Sequence, residues 1–325
     1  MSKTLGIVGQ MSSLVILPNS TCGALPEGSI EGTESLRITF IWLYNGLQIF
    51  GFLSVTGITL LATFSRRIQR SLTWYNFMLG WVVWCISFSL LIGQQTGGCP
   101  AFGLCLFQAA LVYAGPPANA FATVAIILQL YFQTTARLNN AKNPQWQTTL
   151  ISVAPPSLYI LIFALIIVFG FLNPSQIQRD TTGMFCGISS GVPTQIGAAL
   201  VASLSIIMLF FEVKTFTLLY RNWAMFRHIR AETKNSVNSV SLTMIIRVSV
   251  FSFLPILALG ISLVSATSTS SNLAHISTAS LPGAAALIFG TQRDVLSVLM
   301  FWRIERKPIK TYIEKRVPEE KADMV

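Results

Sequence analysis

Apolar residues gather into seven long runs, separated by short polar or charged connections. The runs cover about 38–64, 72–92, 101–135, 150–172, 194–219, 240–264 and 275–298. About 20 apolar residues cross the ~30 Å hydrocarbon layer of a bilayer as a helix. The runs have that length and lack the strict alternation of a half-buried strand. The short alternating segments of a membrane β-barrel are absent as well. The pattern predicts an all-α membrane protein, a seven-transmembrane helix bundle over residues 37–298. Pro116-Pro117, Pro155-Pro156 and Pro255 fall inside runs. In a membrane bundle, neighbouring helices satisfy the freed carbonyls, so these prolines predict kinks rather than helix ends. No fixed-period repeat is visible, nor any likeness between the first three and last three runs.

Composition agrees with this pattern. The chain has 325 residues, 52% of them hydrophobic and 10% charged. A soluble domain carries about 25% charged residues. The net charge of +10 would suit a nucleic-acid binder, but its distribution points elsewhere. Lys and Arg concentrate in cytosolic loops near membrane helices. With the N-terminus outside, only Lys3, Arg37 and Arg179 fall on the outer side. Lys214 and Arg247 lie near the inner ends of helices five and six, and every other basic residue falls inside. The charges therefore predict an extracellular tail over 1–36, a cytosolic basic tail over 299–325, and location in the plasma membrane. They are explained without nucleic acid.

Asn19-Ser20-Thr21 is a glycosylation sequon, which fits an outer tail. Leu5–Leu17 resembles a signal-peptide core, interrupted by Gln10, Ser12 and Ser13. After helix seven come Val295, Leu296, Leu299, Met300, Trp302 and Ile304, interleaved with Arg303, Arg306, Lys307 and Lys310. Apolar contact and basic charge together predict a short amphipathic helix on anionic inner-leaflet lipid.

Several chemistries lack their residues. Helices one to four, and seven as far as Gly290, hold no Asp, Glu, Lys or Arg between their end residues. Proton relays and voltage sensors need such charges. Helix seven has no Lys to carry a retinal Schiff base. The five cysteines form no CxxC pair, so no metal site is expected. The two histidines, His228 and His275, fall on opposite sides, and no HExxH, GxSxG or Walker-type loop is present. The chain reads as a protein that is not an enzyme and needs no cofactor.

Cys99, just before helix three, and Cys186, between helices four and five, both face the oxidising side. A Cys99–Cys186 disulfide is expected there. Two unpaired thiols, or a bridge from Cys22, are the alternatives. Cys85 and Cys105 read as apolar fillers. Trp84, Gln108, Tyr113, Asn119, His275 and Ser277 fall in the outer half of the bundle and are candidates for a ligand pocket. Ordinary interhelical packing is the competing role for each. A pocket of these residues carries no fixed charge and would take a small neutral or weakly polar ligand. Glu212 and Arg247 lie at similar depths near the inner ends of helices five and six. A lone charge at that depth is costly, so an ion pair between them is expected. The alternative is that Lys214 and Arg247 snorkel to lipid headgroups while Glu212 meets water.

These features together resemble a seven-transmembrane G-protein-coupled receptor: an outer tail with Asn19, a long third helix opened by Cys99, Cys186 in the next outer loop, Pro255 in helix six, and the amphipathic segment. The ending Phe289-Gly290-Thr291-Gln292-Arg293-Asp294-Val295-Leu296 is similar to that of fungal receptor-like proteins of the cyclic-AMP-receptor or glucose-sensor type. The likeness covers about residues 37–305. It implies sensing of an extracellular ligand and signalling to a heterotrimeric G protein, with Arg137, Arg227, Arg230 and Arg293 as candidate coupling residues. The chain departs from the rhodopsin-like pattern. Thr135-Ala136-Arg137 stands where an acidic-Arg-Tyr triplet would end helix three. Asn-Pro-x-x-Tyr is missing from helix seven, where Pro282-Gly283 is the nearest proline. A seven-helix transporter or lipid-handling protein is the alternative, although the parallel repeats of sugar transporters are not evident.

Overall fold

The computed structural model describes residues 31–65, 70–139, 141, 144–180, 182–223, 242–267, 271–292, 295–296 and 298. Among them are seven helices, labelled α1 (Glu31–Phe64), α2 (Leu72–Ser89), α3 (Phe102–Leu138), α4 (Gln145–Leu172), α5 (Gly191–Arg221), α6 (Leu242–Thr267) and α7 (Ser271–Gly290). Five contain stretches long and apolar enough to cross a membrane: Ser35–Phe64, Phe102–Ala136, Gln145–Leu172, Gly191–Arg221 and Asn272–Gly290. A shorter apolar helical stretch, Ile245–Ala258, lies in α6. With its 18 residues, α2 is about 27 Å long at the standard rise.

Burial explains why these helices suit lipid. Along the apolar windows of α4 and α5 only 17% of residues are buried, yet these are the most hydrophobic helices. Ile160, Leu161, Leu165 and Phe171 on α4, and Ile196, Ile206, Phe210 and Val213 on α5, project outward. Such apolar faces are costly in water and are what a lipid solvent requires. Inside, α3 runs through the middle and touches α2, α4, α5 and α6, whereas α1 packs on α2 and α7. Direct contact between α5 and α6 is slight.

All the proline pairs stay inside helices, as expected. Helix starts are set by local chemistry. Ser71 caps α2 by accepting from the Trp74 N–H, and Ser190 caps α5 by accepting from Val192.

Two features depart from the sequence reading. The fold is not purely helical. A short antiparallel hairpin, β1 (Ile177–Arg179) and β2 (Cys186–Ile188), follows α4 with Gln178 opposite Gly187. Its turn uses Gly183 at φ +80°, a left-handed conformation that favours glycine. The second departure is α7, which ends at Gly290 instead of continuing to 298. The chain turns at Thr291 and Gln292, and Val295 packs into the core. The amphipathic helix expected after α7 lies outside the described residues apart from 295, 296 and 298, as do Asn19 and the tails.

Candidate functional site

The hairpin end of the bundle is held by several polar ties. The disulfide joins Cys186 to Cys105, with Cα atoms 5.2 Å apart. The expected Cys99–Cys186 bridge is therefore corrected. Cys99 precedes α3, and it stands exposed outside the bridge. Strand β2 instead lies across the first turns of α3. There the Cys186 N–H donates to Oε1 of Gln108 at 2.9 Å, one turn beyond Cys105. Cys105 is not a filler, while Cys85 is buried and outside any disulfide.

Gln108 is fully buried, and its amide also donates to the Ser87 carbonyl at 3.0 Å. It locks α2, α3 and β2 together and is not among the residues that line the cavity beneath the hairpin. Gln95 does similar work: its amide donates to Asn45 Oδ1 and to the Met184 carbonyl, both at 3.0 Å. The Arg179 guanidinium donates to the carbonyls of Gln94, Gly97 and Gly98 at 3.1–3.4 Å, which fixes the α2–α3 connection under the hairpin.

Beneath the hairpin lies a half-open cavity of about 650 Å³ between α2, α3, α5, α6 and α7. Trp84, Tyr113, Asn119 and His275 line it, as expected from the sequence. Ser277 does not line it; its hydroxyl donates to the Ala274 carbonyl of its own helix at 2.8 Å. The placement of each lining residue has a local cause. Gly115 gives room for Trp84, whose ring would lie 3.2 Å from a Cβ there. Gly80 lets the Asn119 amide reach across to the Gly80 carbonyl at 3.4 Å. The Tyr113 hydroxyl lies 3.2 Å from that of Thr194 and accepts from the Ile188 N–H at 3.3 Å.

The hairpin also brings Arg179 and Asp180 to the cavity, which the sequence reading did not place there. A signal existed: they are the only charged residues between α4 and α5. Asp180 Oδ2 accepts from the Thr182 hydroxyl at 2.5 Å and from its N–H at 3.0 Å, and lies 3.6 Å from Nε2 of His275. Burial alone would push the Asp180 carboxyl up. The close approach of His275 and its charge, with the hydrogen bonds from Thr182, more than offset this and hold it at about 2. The cavity is therefore not free of charge, but both of its charged groups already have protein partners.

Aromatic rings run down from the mouth. His275 meets Phe185 at 5.0 Å between centroids, Phe185 meets Phe88 at 5.4 Å, and Phe88 meets Trp84 at 4.8 Å. Trp84 then meets Trp81 at 5.5 Å, Trp81 meets Phe251 at 5.7 Å, and Phe251 meets Phe289 at 5.8 Å. Most of these contacts are edge-to-face or tilted, the arrangements that ring quadrupoles favour.

Near Phe289, at the end of the bundle away from the hairpin, the Glu212–Arg247 pair is absent. Arg247 donates to the Ile288 carbonyl and to the carbonyl and hydroxyl of Thr291, the latter two at 2.9 and 2.8 Å. It thus satisfies orphan carbonyls at the negative end of α7. Glu212 is buried and accepts from the Ser252 hydroxyl at 2.5 Å. Each charge found a neutral partner within reach, so neither needed the other. Arg70 donates to Gln292 at the same end. Of the expected coupling residues, Arg137 belongs to the last turn of α3, and Arg227, Arg230 and Arg293 lie outside the described residues. No group of metal-ligating side chains occurs among the described residues. No protein-family model matches the chain, and no curated protein matches it.

Proposed function

We propose that this chain is a seven-crossing membrane receptor. It binds an extracellular, uncharged or weakly polar ligand in the cavity under the hairpin and signals to a cytosolic heterotrimeric G protein. The observation that carries this reading is the aromatic line. It begins at the cavity mouth with His275 and ends at Phe289, beside the Ile288 carbonyl that Arg247 clasps. A ligand that shifts Trp81 or Trp84 thereby bears on the contact between α6 and α7 at the far end.

The distribution of charge supports the orientation. The connections that leave the bundle at the end away from the hairpin contain most of the basic residues of the sequence, as cytosolic loops do. The deciding experiment is affinity purification of the full chain from native membranes. A Gα subunit should co-purify and leave on addition of a non-hydrolysable GTP analogue. Absence of Gα, together with solute flux in proteoliposomes, would replace the receptor with a transporter.

A further inference from the structure

The polar groups of the cavity gather at one end. Tyr113, Gln178, Arg179, Asp180, Thr194 and His275 lie beside the hairpin, while Trp81, Trp84, Val112 and Leu281 make apolar walls. Asn119, Thr123 and Thr278 interrupt those walls, but all three are already bonded, to the Gly80, Asn119 and Ala274 carbonyls. Arg179 is engaged with three loop carbonyls and Asp180 with Thr182 and His275. Neither charge calls for a counter-ion. The occupant that matches is uncharged, polar at one end and hydrocarbon at the other.

The wall between α5 and α6 is thin. It consists of Gly197, Ala198 and Val201 on α5 and Pro255 and Ala258 on α6. A Cβ built on Gly197 would meet nothing within 4 Å. The hydrogen bond that joins these two helices, Ser252 to Glu212, lies about four turns of α5 away from Gly197. Pro255 sits in α6 at this level, where it removes one backbone hydrogen bond and favours a bend.

We propose that the cavity takes an uncharged amphiphile, a hydrocarbon chain with a hydroxyl or carbonyl head, which passes sideways from the bilayer between α5 and α6. This rests on reading the cavity as the receptor's ligand site. An amphiphile in the adjoining leaflet already holds its head at the interface and its chain in hydrocarbon. The cavity has the same order of polarity, so sideways transfer requires no inversion and keeps the chain out of water.

The test uses the full chain in phosphatidylcholine nanodiscs, with Trp42, Trp146, Trp223 and Trp302 replaced by Phe. Emission then comes from Trp81, Trp84 and the buried Trp74. The probe is a long-chain alcohol brominated in mid-chain, which quenches indole on contact. Quenching should saturate with bilayer mole fraction and reverse on adding the unbrominated alcohol. At equal mole fraction its rate should not depend on chain length, although the aqueous concentration falls steeply with every added CH₂. Gly197→Phe should slow the onset at least tenfold. Ala198→Phe is a second block, and retention of the Cys105–Cys186 bridge checks folding in both. Three results would overturn the proposal. One is quenching that rises linearly without saturation. Another is a rate that falls with chain length, which means access from water through the mouth. The third is equal competition by a fatty acid or an alkylamine, which means a charged head. Gα co-purification is measured on the same preparation. Gα without saturable quenching sinks this inference alone, and saturable quenching without Gα sinks only the receptor reading.

Discussion

Gly80 and Asn119 show how single residues shape the cavity. A Cβ at Gly80 would collide with the Asn119 amide oxygen, so Gly80→Ala must displace the side chain that joins α3 to α2. Overpacking of this kind costs about 1–3 kcal/mol. Detergent-solubilised Gly80→Ala should melt several degrees below the parent, and Gly46→Ala, where a Cβ meets open space, should not. The cysteines give a second prediction. Cys105→Ala and Cys186→Ala should each lower stability by about 2–5 kcal/mol, because the bridge closes a long loop. Non-reducing peptide mapping should find Cys105 joined to Cys186. Asp180 gives a third. Its carboxyl falls from the usual 3.8 to about 2 in the folded protein. A depressed carboxyl adds stability that is fully present above the unfolded value and is lost as pH falls toward the folded one. The window therefore runs from about pH 4 down to about pH 2, and at about 1.4 kcal/mol per unit the loss is about 2 kcal/mol. Asp180→Asn should remove that slope from melting curves recorded against pH. The four cavity residues legible in the sequence were polar or aromatic positions in the outer halves of helices. Arg179 and Asp180 were not legible, because only the hairpin turns that loop back over the bundle.

At the scale of elements, long helices are legible because membrane length and hydropathy leave few alternatives. Three-residue strands carry too little period to register, and the hairpin went unseen for that reason. The end of α7 was obscured because Val295 and Leu296 continue the apolar run beyond the true stop at Gly290. Depth along the helices suggested a Glu212–Arg247 pair, but depth says nothing of which face a side chain occupies. Arg247 faces α7 and Glu212 faces Ser252. A charge-reversal cycle checks this separation. Glu212→Arg and Arg247→Glu should each destabilise, and the double variant should equal their sum within about 0.5 kcal/mol. Arg247→Gln should weaken the α6–α7 clasp by about 1.5–3 kcal/mol, the range for hydrogen bonds from a charged donor. Arg247→Lys should recover only part of this, since an ammonium cannot span the Thr291 hydroxyl and carbonyl as a fork does. Melting temperatures of the five variants decide both points.

For the whole molecule, the two ends differ in how they are built, and that difference carries the last prediction. The hairpin end has a disulfide, which persists in an oxidising compartment, and Arg37 and Arg179 are its only described basic residues. The other end leads into the connection over 66–70 and into the C-terminal segment, where Arg303, Arg306, Lys307, Lys310, Lys315, Arg316 and Lys321 cluster. Positive charge in short loops and tails resists export and fixes the side on which it stays. An odd number of crossings puts the two termini on opposite sides of the membrane. A disulfide at one end and basic charge at the other both suit the orientation proposed above. An epitope inserted after Lys3 should bind antibody on intact cells, and one placed after Val325 should bind only after permeabilisation. If the C-terminal epitope is reached on intact cells, the number of crossings or the orientation is wrong. The ligand site under the hairpin would then have to be moved to the cytosolic face.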